Sequence, residues 1–128
     1  MERTPYSAGA TAGSLRSRQG LVLRHQWTKD GVVASAVGNG AQVLHLSVAL
    51  CVLNDLYREA DRMGVALAGV MVEADGGFDP QWHSTGIEYS VVVDSPAPAA
   101  DLERLLAAVD AVAEIPRALR AGVPVTRV

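Results

Sequence analysis

The stretch that most constrains the fold runs from Gly40 to Gly64, GAQVLHLSVALCVLNDLYREADRMG. Between Val43 and Leu53 only His45 and Ser47 carry strongly polar side chains, and the run holds the only cysteine of the chain, Cys51. From Asn54 onward Leu56, Tyr57, Ala60 and Met63 recur with helical spacing, marking one apolar face. Asn54, Asp55, Arg58, Glu59, Asp61 and Arg62 fill the other side. Gly64 follows where a helix needs a residue tolerant of left-handed geometry to stop. The pattern predicts a single helix, buried all round in its first half and one-sided in its second. Such a helix needs more cover than one small sheet provides, and a homodimer would supply it.

Composition narrows the setting. A chain of 128 residues with 49 % hydrophobic and 20 % charged residues fits one globular domain. A net charge of -3 and 5 % aromatics argue against a nucleic-acid surface or a base-stacking platform. The apolar run is about half the roughly 20 residues that a membrane span requires. No apolar run follows Glu2 and Arg3, so a secretory signal is not expected. One cysteine excludes an intrachain disulfide framework and fits a reducing, cytoplasmic location.

Before the helix, residues 1–20 are rich in Gly, Ala, Ser and Thr, and predict a flexible arm or a weakly paired first strand. The remaining residues, 21–128, read as one domain. Leu21 to Trp27 and Val32 to Val37 predict a hairpin around Lys29-Asp30-Gly31, and Gly38-Asn39-Gly40 breaks the chain before the helix. After it, Val65 to Asp75 predicts a strand ending in a turn at Gly76-Gly77. Ile87, Tyr89, Val91 and Val93 alternate with Glu88, Ser90, Val92 and Asp94 as a half-buried strand. The absence of a helix between these two strands implies antiparallel pairing.

A second helix carries Leu102, Leu105, Leu106, Val109 and Val112 on one stripe and is limited by Pro116. A short turn over Arg117–Arg120 and a closing edge strand through Val123, Val125 and Val128 complete the expectation. Strands and helices arranged in blocks favour an α+β fold with antiparallel sheet.

Taken together, GNGAQVLHLSVALC, ADRMGV, VMVEADGGFD and GIEYSVVVDSPAPAADLERLLAAVDAVAEIPRALRAGVPV resemble the OsmC/Ohr family in order and spacing, over roughly Gly20 to Val128. The resemblance implies an OsmC-like fold, with antiparallel sheets packed around two central helices in an intertwined, cytoplasmic homodimer. It also implies a stress-response protein. Well-studied members reduce organic hydroperoxides with two cysteines, and the peroxidatic one falls on Cys51. The resolving cysteine, near the start of a C-P-x-S-x-T-L-like segment, falls on Ala113, so that thiol is missing. The glutamate these peroxidases carry near the helix start is absent from Gly40-Ala41-Gln42. An arginine of the N-terminal region would approach the cysteine, with Arg24, Arg16 and Arg18 as candidates.

Two readings of Cys51 follow. In one, the thiolate attacks a peroxide oxygen and becomes a sulfenic acid, which an external thiol would have to reduce. In the other, the protein is a non-catalytic homodimer that binds a small apolar ligand or a partner in its inter-subunit cleft, and Cys51 is a small buried hydrophobe. Asp55, one turn beyond Cys51, would oppose thiolate formation at close range. His25, His45 and His83 are too scattered to announce a metal site, and His45 is expected to be hydrogen-bonded at a dimer or cleft surface. Glu73, Asp75, Asp79 and Asp94 lack a calcium-loop pattern and read as solvated turn carboxylates. No cofactor-binding motif is present, and neither cofactor nor metal is expected.

Overall fold

The helix expected from Gly40 forms over Gly40–Met63 (α1) in a computed structural model that describes residues 3–35 and 38–128. Asn39 is its N-cap: the Asn39 side chain accepts from the Gln42 N–H, and the Gln42 side chain in turn accepts from the Gly38 N–H. This reciprocal arrangement satisfies donors that a helix start leaves orphaned. Gly64 ends the helix at φ 70°, with the Val65 N–H donating to the Ala60 carbonyl as the chain turns away.

Beneath α1 lies one five-stranded antiparallel sheet in the order β2-β3-β1-β4-β5. Its strands are β1 (Ala8–Gly13), β2 (Leu21–Leu23), β3 (Val32–Ala34), β4 (Gly69–Phe78) and β5 (Ser84–Asp94). α1 packs on β1 and β4, whose inward residues pair directly as Ala8 with Ala74, Ala10 with Val72 and Ala12 with Val70. All six are buried, and their small or β-branched side chains let the helix come close to the sheet. Leu46, Ala49, Val52, Leu53, Leu56 and Ala60 fill the helix side of this core. α2 (Ala99–Val112) packs against α1 through Leu105 and Val109, and α3 (Glu114–Ala121) packs on α1 as well. The architecture is α+β with an antiparallel sheet, as the sequence implies.

Several expectations are corrected. Ala8–Gly13 is neither a loose arm nor a weakly paired strand: it is β1, an interior strand paired on both sides. Its Ala and Gly residues have low strand preference, but small side chains are what the space under α1 requires. The hairpin pairs Leu21–Leu23 with Val32–Ala34 only, and the predicted extension through Ala36 and Val37 lies outside the described residues. The expected closing strand does not form; residues 122–128 have no regular structure, and Val123, Val125 and Val128 are exposed. Within the single chain the first half of α1 is incompletely covered, with Val43 exposed and Ser47, Leu50 and Cys51 half-buried. Conversely, Asp55 and Glu59 of its polar side are buried.

Asp75 is likewise not a solvated turn carboxylate. It is buried and accepts hydrogen bonds from the Thr4 N–H and hydroxyl, each at 2.7 Å, and from the Gly76 N–H at 2.9 Å. Burial alone would raise its pKa, but these donors overcome it and hold Asp75 below its ordinary value. His45 is also interior rather than at a surface: it is fully buried and donates from Nδ1 to the Tyr6 carbonyl at 2.8 Å.

The Gly76-Gly77 pair does not turn the chain. β4 continues through it to Phe78, with an irregularity in the ladder between Gly76 and Phe78, and the turn comes at Asp79–His83. Gly76 is needed for close approach: a Cβ there would lie 2.3 Å from the Gly86 carbonyl oxygen and 2.8 Å from His45 Nε2. Gly76→Ala is therefore expected to destabilise the fold by about 1–3 kcal/mol through overpacking. Urea denaturation of wild type and variant measures this directly.

Candidate functional site

Leu44, Val48, Cys51 and Asp55 follow one another along α1 at intervals of four, three and four residues, so they share one stripe. α3 runs back along that stripe. α2 stops at Val112 because Ala113 adopts an extended conformation (φ -58°, ψ 122°), and α3 starts at once with Glu114. Pro116 sits in the first turn of α3, where its missing N–H leaves no hydrogen bond unmade. Ala113, the position that the resemblance assigns to a resolving cysteine, is the buried hinge between the two helices.

This reversal brings α3 onto the cysteine. The Ile115 N–H donates to Cys51 Sγ at 3.4 Å, and Cys51 Sγ donates to Glu114 Oε2 at 3.5 Å. Arg58, seven residues beyond Cys51 on α1, ties the cluster together. Its Nη1 donates to Glu114 Oε1 at 2.9 Å and its Nη2 stands 3.2 Å from Asp55 Oδ2. Its Nε faces Glu59 Oε2 at 3.5 Å, and Glu59 is also paired with Arg62 at 2.7 Å. Pairing with Arg62 and Arg58 holds Glu59 charged on the buried side of α1, and Arg58 is the counter-charge to Asp55 once that carboxyl ionises.

The electrostatics of the cluster oppose a resting thiolate. Burial pushes the Cys51 thiol up; the Ile115 N–H works against this, and the carboxylates of Asp55 and Glu114 add to it. Asp55 is 1 % exposed, and burial together with the facing Glu114 carboxyl raises its pKa to about 6, despite Asn54 and Arg58. Glu114 is held low by its hydrogen bond with Asp55 and by Arg58. Below about pH 6 the buried Asp55 is the member that holds a proton, beside an ionised Glu114. The donor atoms of Cys51, Asp55 and Glu114 lie within 4.8 Å of one another, close enough to reach one ion, with Arg58 already placed against both carboxylates.

Beside the cluster is a cavity of about 320 Å³ bounded mainly by Leu44, Val48, Ile87, Tyr89, Pro116 and Leu119. Val48 is one turn from Cys51, and Pro116 directly follows Ile115. Tyr89 closes one side, where its hydroxyl donates to Asp110 at 2.5 Å and Arg120 approaches the same carboxylate at 3.3 Å. Trp82 is exposed on the hairpin turn and does not line this cavity.

Of the residues singled out in sequence, Cys51 and Asp55 are brought together. Arg24 is exposed just beyond β2, and Arg16 and Arg18 are exposed in the segment after β1. Among the described residues no hydrogen bond or ion pair connects any of the three to Cys51; the arginine in the network is Arg58. The three histidines stay apart from the cluster. His25 packs edge-on against Tyr57 at 5.6 Å, and His83 pairs with Asp79 at 2.9 Å. Glu114 and Ile115 escape sequence reasoning because they lie 63 and 64 residues from Cys51. The available signals were the alignment of Ala113 with a cysteine position and the helix-breaking Pro116.

Comparison with known proteins bears on this arrangement. A family model described as OsmC-like protein matches residues 38–127. Among solved structures, the chain is similar to an OsmC-like hydroperoxide resistance protein from Jannaschia sp. CCS1. The TM-score is 0.54 at 14 % identity, covering 94 % of this chain and 91 % of that one. A search of curated proteins finds no match.

The Asp55 shift has a stability consequence. Because its folded pKa is raised, Asp55 favours the fold when protonated; that contribution is complete below its unfolded value of about 3.9 and is lost as pH rises through about 6. Asp55→Asn keeps the shape and removes the charge. It is expected to stabilise the protein by about 1–2 kcal/mol at about pH 8 and to change little near pH 4. Denaturation curves at the two pH values check the sign.

Proposed function

The chain belongs to the OsmC-like family, and from that premise we propose that it is a thiol-dependent organic hydroperoxide reductase with Cys51 as the peroxidatic residue. The observation that carries this reading is the polar setting of Cys51. A purely structural cysteine is expected to be wrapped in apolar side chains. Cys51 instead is half-buried and exchanges hydrogen bonds with Glu114 and the Ile115 N–H at the start of α3. The adjacent apolar cavity offers room for the organic portion of a hydroperoxide.

In this reading the Cys51 sulfur attacks the terminal peroxide oxygen, the O–O bond breaks, and a sulfenic acid and an alcohol result. The Ile115 N–H, at the positive end of α3, stabilises charge building on sulfur. With Ala113 where a resolving cysteine would stand, an external thiol attacks the sulfenic acid, releases water, and is displaced by a second thiol to regenerate Cys51. A cytoplasmic location would supply such thiols.

A second reading rests on the apolar cavity, beside a Cys51 whose burial and neighbouring carboxylates oppose a thiolate: a non-catalytic protein that holds a small apolar ligand. In either case we propose a homodimer, because the Val43, Ser47 and Leu50 side of α1 is incompletely covered. The dimer is expected to scatter light as twice the 13.4 kDa chain mass; a folded monomer would contradict it. Exposure to an alkyl hydroperoxide with a sulfenic-acid trap is expected to label wild type at Cys51 and leave Cys51→Ser unlabelled. Absence of label with unchanged ligand-induced melting behaviour would favour the binding reading.

A further inference from the structure

We propose that Asp55 and Glu114 act as a two-carboxyl proton relay for Cys51, Glu114 accepting the thiol proton while Asp55 delivers its own to the departing alkoxide. The inference rests on the hydroperoxide reading above and adds residues that sit outside the pattern implied by the family resemblance.

Geometry supplies the basis. The reacting atoms of Cys51, Asp55 and Glu114 are mutually within 4.8 Å. Cys51 Sγ already donates toward Glu114 Oε2, which is the direction of proton loss. Asp55 is almost wholly buried, and Arg58 contacts both carboxyl groups, so the pair is held as a unit that a proton can cross. The charged and titratable groups facing Asp55 are Cys51 and Arg58 on α1 and Glu114 on α3; its neighbour Asn54 is neutral.

A thiol pushed above its ordinary pKa requires this kind of help, because little thiolate exists before the reaction begins. In the step, the S–H bond passes its proton to ionised Glu114 as sulfur bonds to the terminal oxygen of the hydroperoxide. The O–O bond breaks with its electron pair moving to the alkoxide oxygen. Protonated Asp55 gives that oxygen its proton. Sulfur is oxidised to the sulfenic acid and the peroxide is reduced to an alcohol. Below about pH 6 the pair begins as neutral Asp55 with ionised Glu114 and ends with the charge exchanged, so no proton is gained or lost.

The relay and simple electrostatic hindrance predict opposite results. If the carboxylates only burden the thiol, removing one makes thiolate easier to form and the reaction faster. If they carry the proton, removing one makes the reaction slower, even though the thiol ionises more easily. The experiment follows sulfenic-acid formation on the full chain with cumene hydroperoxide in single turnover, between about pH 5 and 8. Thiolate absorbance is recorded in parallel. Asp55→Asn is expected to lose about tenfold or more of the rate near pH 5, while its thiol pKa stays level or falls. Glu114→Gln, at an exposed position, is expected to slow the reaction likewise. Asp55→Glu, which restores an acid, is expected to recover much of the low-pH rate. Rates equal to or above wild type in Asp55→Asn or Glu114→Gln overturn the relay and leave the hydroperoxide reading intact. No sulfenic acid in wild type overturns that reading and the relay with it.

Discussion

The fold depends on how closely α1 can approach the sheet. β1 and β4 present Ala8, Ala10 and Ala12 against Ala74, Val72 and Val70, a floor of small and β-branched side chains. Leu46, Ala49, Val52, Leu53, Leu56 and Ala60 can then bury against it, and apolar area removed from water is the main term favouring the fold. A larger residue in β1 would lift the helix and open voids along the whole seam. Gly76 extends the same constraint to the hairpin end, where β4, β5 and His45 meet within van der Waals contact.

Once α1 is pinned to the sheet, its far side is available for a different kind of packing. α2 covers part of it with Leu105 and Val109, and the break at Ala113 sends α3 back across a further part, leaving the Val43, Ser47 and Leu50 side incompletely covered. That reversal converts a stripe of one helix into a site. Leu44 and Val48 meet Pro116 and Leu119 around an apolar cavity, and Cys51, Asp55 and Arg58 meet Glu114 and the Ile115 N–H. An apolar volume thus adjoins a charged cluster, an arrangement that moves pKa values away from their ordinary range.

Much of this was legible in the chain. The extent of α1, its stop at Gly64, the long alternating strand of β5 and the amphipathic stripe of α2 all follow from periodicity and end signals. β1 was not, because a strand made mostly of Ala and Gly is chosen by the space beneath a helix and not by its own preference. Asp75 and Gly76 were read as turn residues, since local composition cannot reveal that Thr4 ties down the carboxylate or that Gly86 crowds the glycine. Cys51 and Asp55 stood out within one helix, whereas Glu114 and Ile115 reach them only after α3 has doubled back. Arg58 reads in sequence as one more residue of the polar face, and only the return of α3 brings Glu114 to it.

The central claim is that Cys51 is a working thiol in a polar, accessible cluster and not a filler of the core. The most direct test is the rate at which native Cys51 reacts with a small disulfide reagent as pH is raised. The account predicts reaction in the folded state, with a rate rising through a thiol pKa above the ordinary value. Modification that proceeds only as fast as the protein unfolds, at every pH, would contradict it.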